Sequence, residues 1–271
     1  MPQTAPNYKV AHCGLHFYEE PPISSGKGSG TIFFSGCNLH CIYCQNYQIS
    51  QQRKGTIISE QGLFEMMLSL QEQGANNINL VSPSHYIKCL ALSLPKIKNK
   101  LKIPIVYNTS SYDKVEDLAT LRGLIDIYLA DLKYVSPEIS LAFSGVDDYF
   151  KVASKAIEEM LAQQSKNVIY KGIMKRGVII RHLALPSLSQ DSRLALDYLA
   201  TLNKPIISLM SQYVPMYKAI YPLNRKLSKH EYDSLCQYMA NLGLNKGYLQ
   251  QQDSASSQYI PLFNLINEEK K

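Results

Sequence analysis

From Thr31 onward, short apolar and β-branched runs alternate with longer stretches in which apolar residues recur at helical spacing. That alternation is the pattern of repeated βα units laid around a mostly parallel sheet. It predicts strands at 31–35, 77–82, 104–109, 126–131, 178–183 and 206–210. Helices are expected between and after them, at 60–73, 85–96, 114–122, 147–163, 190–201 and 228–242. In the fourth helix Ile157, Met160 and Leu161 share a face, and Asp147 and Asp148 stand at its start, where negative charge suits the helix dipole. About six strands are too few to close an eight-stranded barrel. The fold class read from the pattern is therefore α/β with an incomplete parallel sheet.

The stretch before this pattern contains Pro21, Pro22, Gly26, Gly28 and Gly30. It reads as a turn-rich lead-in over 1–30 that crosses the fold without a core of its own. Residues 31–249 form the expected α/β domain, and the polar run QQDSASSQY opens a C-terminal tail over 250–271.

With 271 residues and 45% hydrophobic content, the chain has enough apolar material for one large domain. Its 28 Lys and Arg exceed its 22 Asp and Glu, but they are scattered, so no basic arm for nucleic acid is expected. No apolar run approaches the roughly 20 residues that span a bilayer, and the N-terminus MPQTAPNYKV lacks a signal-peptide core. A cytoplasmic protein is the expectation.

Three of the six cysteines, Cys37, Cys41 and Cys44, are packed as C-x3-C-x2-C just after the first predicted strand. Cys13, Cys89 and Cys236 stand far apart, which does not resemble a disulfide framework. The carboxyl ends of parallel strands are where α/β folds place their active sites. Three thiolates from a compact loop can hold a cubane 4Fe-4S cluster and leave one iron open to a ligand. The competing readings are a zinc knuckle of Cys3His type closed by His40, or three ordinary loop thiols, and the competing function is a non-catalytic zinc or iron-sulfur binding module that senses redox state.

The run CNLHCIYCQN resembles the cluster motif of the radical SAM superfamily, and is closest to the pyruvate formate-lyase activating enzymes and their PflX-like homologues. The lead-in EEPPISSGKGSGTIFFSGCN and the trailing CQNYQIS share the resemblance, which spans roughly Val10 to Tyr217. It implies a partial (β/α)6 TIM-type barrel, a 4Fe-4S cluster, and S-adenosylmethionine (SAM) cleaved to a radical that abstracts hydrogen. It also implies a low-potential donor such as a flavodoxin or ferredoxin, and a protein or peptide substrate, a glycine if the chain acts as a glycyl-radical activase.

Carried onto this chain, the resemblance puts Tyr43 against the adenine. Where relatives have a Gly-Gly-Glu turn for the SAM amino group, this chain has Ser82-Pro83-Ser84-His85, leaving Ser82 and Ser84 as the candidates. Asn108 and Ser110 replace an Asp-Thr-Asn-Gly run, with Asn108 keeping an acceptor oxygen. Asp131 and Lys133 lie two apart on a strand, hence on one face, and match the two charges of a zwitterion. Arg181 is a fixed cation for SAM or substrate, with His182 facing the other way. Gln212 or Tyr213 stands where relatives contact the ribose.

Overall fold

The computed structural model describes residues 5–203 and 205–250. The expected tail therefore lies, from residue 251 on, outside the described residues. The chain opens with β1 (Asn7–His16), the one-turn α1 (Pro21–Ser24) and β2 (Ser29–Phe34). Next come α2 (Tyr47–Ser50), β3 (Thr56–Ser59), α3 (Glu60–Glu72), β4 (Ile78–Val81), α4 (Ile87–Ile97) and β5 (Ile105–Thr109). They are followed by α5 (Val115–Ala119), β6 (Ile127–Asp131), α6 (Pro137–Ser144), α7 (Tyr149–Gln163), β7 (Val168–Tyr170) and β8 (Ile173–Leu183). The last elements are α8 (Ser189–Thr201), β9 (Ile206–Met210), α9 (Lys229–Asn241) and β10 (Gly247–Leu249).

The sheet runs β10-β9-β8-β6-β5-β4-β2-β1-β3, with β7 paired to β8 off this path. Every pairing from β2 to β10 is parallel; β1 joins β2 and β3 antiparallel. The sheet does not close, so this is the expected partial barrel. All six anticipated strands are present within two residues of their expected ends, except that β8 begins five residues earlier.

Alternation along the strands builds two apolar layers. One set of side chains, including Leu80, Tyr107, Tyr128, Ala130, Ile180 and Leu209, packs beneath the helices. The other set, Val106, Ile127, Leu129 and Ile179, fills the concave side together with Met174. Ile23 of α1 is fully buried in that second layer.

This corrects the reading of the lead-in. It contributes a ten-residue strand, with Tyr8, Val10 and Ala11 buried, and then plugs the interior of the half-barrel with Ile23. Pro21 and Pro22 suit the first turn of α1, where a missing N–H costs nothing, and they fix the path inward. The hairpin between β7 and β8 turns at Lys171 and Gly172, both at positive φ, as a tight two-residue connection requires.

Candidate active site

The polar side chains of the concave side lie above its apolar layer because they continue the same alternation. Asn108 follows Val106 by two residues, Asp131 follows Leu129, and Arg181 follows Ile179. Register then sets Asp131 beside Arg181 on adjacent strands. Arg181 Nε donates to Asp131 Oδ1 at 2.7 Å, Nη1 to Glu19 Oε2 at 3.0 Å, and Nη2 to Asn108 Oδ1 at 2.7 Å. Lys133 Nζ donates to Asp131 Oδ2 at 2.8 Å. Glu19 Oε1 accepts from Asn79 and Asn108 at 3.1 and 3.2 Å.

These charges are largely removed from water, with side-chain exposures between 11% and 19%. Burial opposes ionisation of Asp131, but Arg181 and Lys133 outweigh it and hold the carboxyl below its ordinary value. Burial likewise works against Lys133, and Asp131 reverses the balance and raises it. Glu19 goes up, because burial exceeds the pull of Arg181.

Above this set lies the cysteine loop. Gly36, at φ +96°, turns the chain out of β2; a Cβ there would meet His85 Nε2 at 3.1 Å. His85 in turn lies 2.7 Å from Ser35 O, so it braces the start of the loop from beneath. Backbone bonds from His40 N to Ser144 O and from Ile42 N to Phe143 O pin the loop to the end of α6. Cys41 Sγ lies 2.9 Å from Ser144 Oγ, and Cys44 Sγ lies 3.2 Å from Ser50 Oγ. Leu39 N donates to Cys37 Sγ at 3.4 Å. Burial raises all three thiols, Cys41 to about 12, while Lys133 pulls each of them down.

One cavity gathers Cys37, Cys41, Cys44, Tyr43, Ser82, Asn108, Ser110, Asp131, Lys133, Arg181 and Gln212. Eleven of the twelve anticipated site residues thus wall a common space. Ser84 is the exception: it sits in a short turn at Ser84–Tyr86, set back from the cavity with its hydroxyl 3.5 Å from Thr109 Oγ1. Tyr213 also lines the cavity, with its hydroxyl donating to Leu223 O at 2.5 Å, while Gln212 Oε1 accepts from Gln250 Nε2 at 3.2 Å and Gln212 Nε2 lies 3.8 Å from Met210 Sδ. His182 faces away as expected, buried with Nδ1 2.7 Å from Leu132 O.

His40 does not join the thiols. Its ring is exposed and hydrogen-bonds Gln51 Oε1 at 3.0 Å, outside the cavity. Among the described residues, no three His, Cys, Asp or Glu side chains converge in the manner of a single-ion site. Cys37, Cys41 and Cys44 line the cavity without His40.

Three contributors were not anticipated. Glu19 comes from the lead-in and meets Arg181 across 162 positions of sequence. Tyr134 takes the hydroxyl of Tyr43 as a close hydrogen-bond partner and lies 3.0 Å from Ser144 Oγ. Ser144 itself ends α6, a helix absent from the expected set. The only sequence signal for α6 was Ser136-Pro137-Glu138, a plausible helix start.

A parallel half-barrel whose first βα loop brings three thiols to the same cavity as a buried ion-pair set is an α/β scaffold with its candidate site at the carboxyl ends of the strands. The sequence profile of the Radical SAM superfamily matches residues 31–183, more than half of the chain. The chain belongs to the radical SAM superfamily. It is 28% identical over 246 residues to an uncharacterised protein of Methanocaldococcus jannaschii, covering 86% of this chain and 68% of that one. Its fold is similar to that of the FeFe-hydrogenase maturase HydG from Carboxydothermus hydrogenoformans, with TM-score 0.58 and 16% identity, over 86% of this chain and 56% of the other. Streptococcus suis SuiB bound to S-adenosylmethionine matches with TM-score 0.52 and 11% identity, over 80% and 48%. The chain thus spans about half the length of either solved protein. No helix among the described residues is long and apolar enough to cross a membrane.

Proposed function

We propose that this protein is a radical SAM oxidoreductase that holds a 4Fe-4S cluster on Cys37, Cys41 and Cys44 and abstracts hydrogen from a protein or peptide substrate. The observation that carries the reading is the shared cavity, which Cys37, Cys41 and Cys44 line together with Asp131, Lys133 and Arg181. When bound and reduced by a low-potential flavodoxin or ferredoxin, the cluster would supply the electron that splits SAM into methionine and a 5′-deoxyadenosyl radical.

The chain's own residues have separate tasks in this reading. Lys133 and Asp131 offer opposite charges to the carboxylate and ammonium of the methionyl group. Arg181 holds Asp131 in place and keeps it ionised. Tyr43, whose hydroxyl is tied to Tyr134, presents a fixed ring edge to Tyr213, with centroids 5.8 Å apart, and the two form an apolar wall for the base. Ser82, at φ +55°, turns the chain so that the end of β4 faces the cavity, in place of a Gly-Gly-Glu turn. Ser110 and Asn108 offer polar contacts, and Gln212 takes the ribose. Burial limits access by solvent-borne species with weak C–H or S–H bonds that would quench a radical.

SuiB in complex with its precursor peptide SuiA shares this fold at TM-score 0.53, which makes a peptide substrate a natural extension; a glycyl-radical product is the narrower form of it. Metal analysis of protein purified without oxygen tests the reading. About four irons with matching acid-labile sulfide per chain are expected. Zinc without sulfide would replace this account with a redox-sensing binding module.

A further inference from the structure

A second cavity lies beside the first, and Glu19 and Gln212 line both. Its remaining walls include Tyr18, Glu20, Ser208 and Tyr248. Glu20 is only 5% exposed and Ser208 is fully buried; the two side chains approach each other, yet neither Glu20 Oε2 nor Ser208 Oγ reaches a partner in full hydrogen-bond geometry. Buried polar atoms without partners are rare in folded proteins, and each marks a group that something else is built to satisfy.

The ion-pair set explains why Glu20 is left over. Every guanidinium nitrogen of Arg181 already donates to a nearer acceptor, on Asp131, Glu19 or Asn108. Glu20 Oε2 receives only a 3.9 Å approach from Arg181 Nη1. Three carboxylates, Glu19, Glu20 and Asp131, thus share two cations, Lys133 and Arg181. Glu20 does not line the cysteine cavity, so a ligand bound there leaves it unpaired. Nor is the carboxylate free to swing out to water. Glu20 caps α1, its carbonyl accepting from Ile23 N and Ser24 N at 2.8 and 3.2 Å, with Pro21 fixing the next residue.

We propose that this second cavity is a substrate subsite for a protonated primary amine, gripped by Glu20 Oε2 and Ser208 Oγ. An ammonium donates to both acceptors and supplies the missing positive charge; two oxygens are too few for a calcium-type ion, which takes six to eight. The rings of Tyr18 and Tyr248 at the cavity wall suit the alkyl stem and charge of such a group. Since Gln212 and Glu19 belong to both cavities, a lysyl side chain or amino terminus held here places a neighbouring part of the same substrate beside the cysteine cavity. This assignment rests on the enzymatic reading above.

Ligand-observed NMR titration of the full chain with n-butylamine and with n-butanol tests it. Saturable binding of n-butylamine is expected, without binding of n-butanol, and with at least a tenfold loss of affinity in Glu20→Gln. Ser208→Ala, which removes one oxygen, should weaken the amine as well and carries the test if Glu20→Gln does not fold. Equal binding of n-butanol, or unchanged amine affinity in the folded variants, overturns the subsite. Protein that releases 5′-deoxyadenosine from SAM but ignores n-butylamine overturns the subsite alone. Protein that binds the amine yet never cleaves SAM supports the subsite and overturns the proposed function.

Discussion

Arg181 is the residue on which the buried charges depend. Without it, Asp131 keeps Lys133, but Glu19 loses its salt-bridge partner, and the Asn108 carbonyl oxygen loses its donor. Removing one partner of a buried ion pair typically costs about 3–5 kcal/mol, mainly as the penalty of the stranded charge. Arg181→Ala should therefore lower the urea unfolding free energy by that order. Arg181→Lys should recover only part of it, since one ammonium cannot reproduce three directed contacts. Equal stability of wild type and Arg181→Ala would mean that Glu19 and Asp131 are satisfied by other means. Much of this site is legible in the sequence because Asp131, Lys133, Arg181 and Asn108 all sit at the ends of strongly apolar strands. Glu19 is not, because its meaning arises only from a long-range contact with Arg181. In the lead-in it looks like an ordinary solvated acid.

At the scale of elements, the six central strands were readable because both their faces are buried, which yields continuous apolar runs rather than alternation. β1 was hidden because its sequence NYKVAHCGLH mixes polar residues into a strand buried mainly at its start. β10 was hidden because three residues carry too little pattern, and its key residue is a glycine. A Cβ on Gly247 would stand 1.9 Å from Ile207 O, a backbone atom held by the parallel pairing of β10 with β9. Gly247→Ala should pry β10 from the edge of the sheet, at the cost of about 1–3 kcal/mol usual for overpacking. Amide hydrogen exchange gives the check. Protection should fall in β10 while amides of β5 and β6 keep theirs; unaltered protection in β10 would show that the edge accommodates a side chain.

For the molecule as a whole, acid should erode stability through His182. Burial holds its ring below the ordinary histidine value, with Nδ1 tied to Leu132 O and Nε2 facing no partner. The unfolded chain therefore takes up the proton first. The contribution of the neutral ring is intact above about pH 6.5 and shrinks below it, by up to about 1.4 kcal/mol per pH unit. Glu19 and Glu20, raised by burial, act in the opposite sense, so the difference from His182→Asn isolates the effect. Between pH 6.5 and 5.5 the variant should lose less unfolding free energy than wild type; parallel losses would rule out His182 as the source.

We propose that the thiol-lined cavity and the ion-pair set below it form one site that cleaves SAM. Its most direct measurement is 5′-deoxyadenosine released after anaerobic cluster reconstitution, reduction with dithionite and addition of SAM. Wild type should release it, and Cys41→Ala should neither assemble a cluster nor release any. An intact, reduced cluster in wild-type protein that yields no 5′-deoxyadenosine would contradict the account.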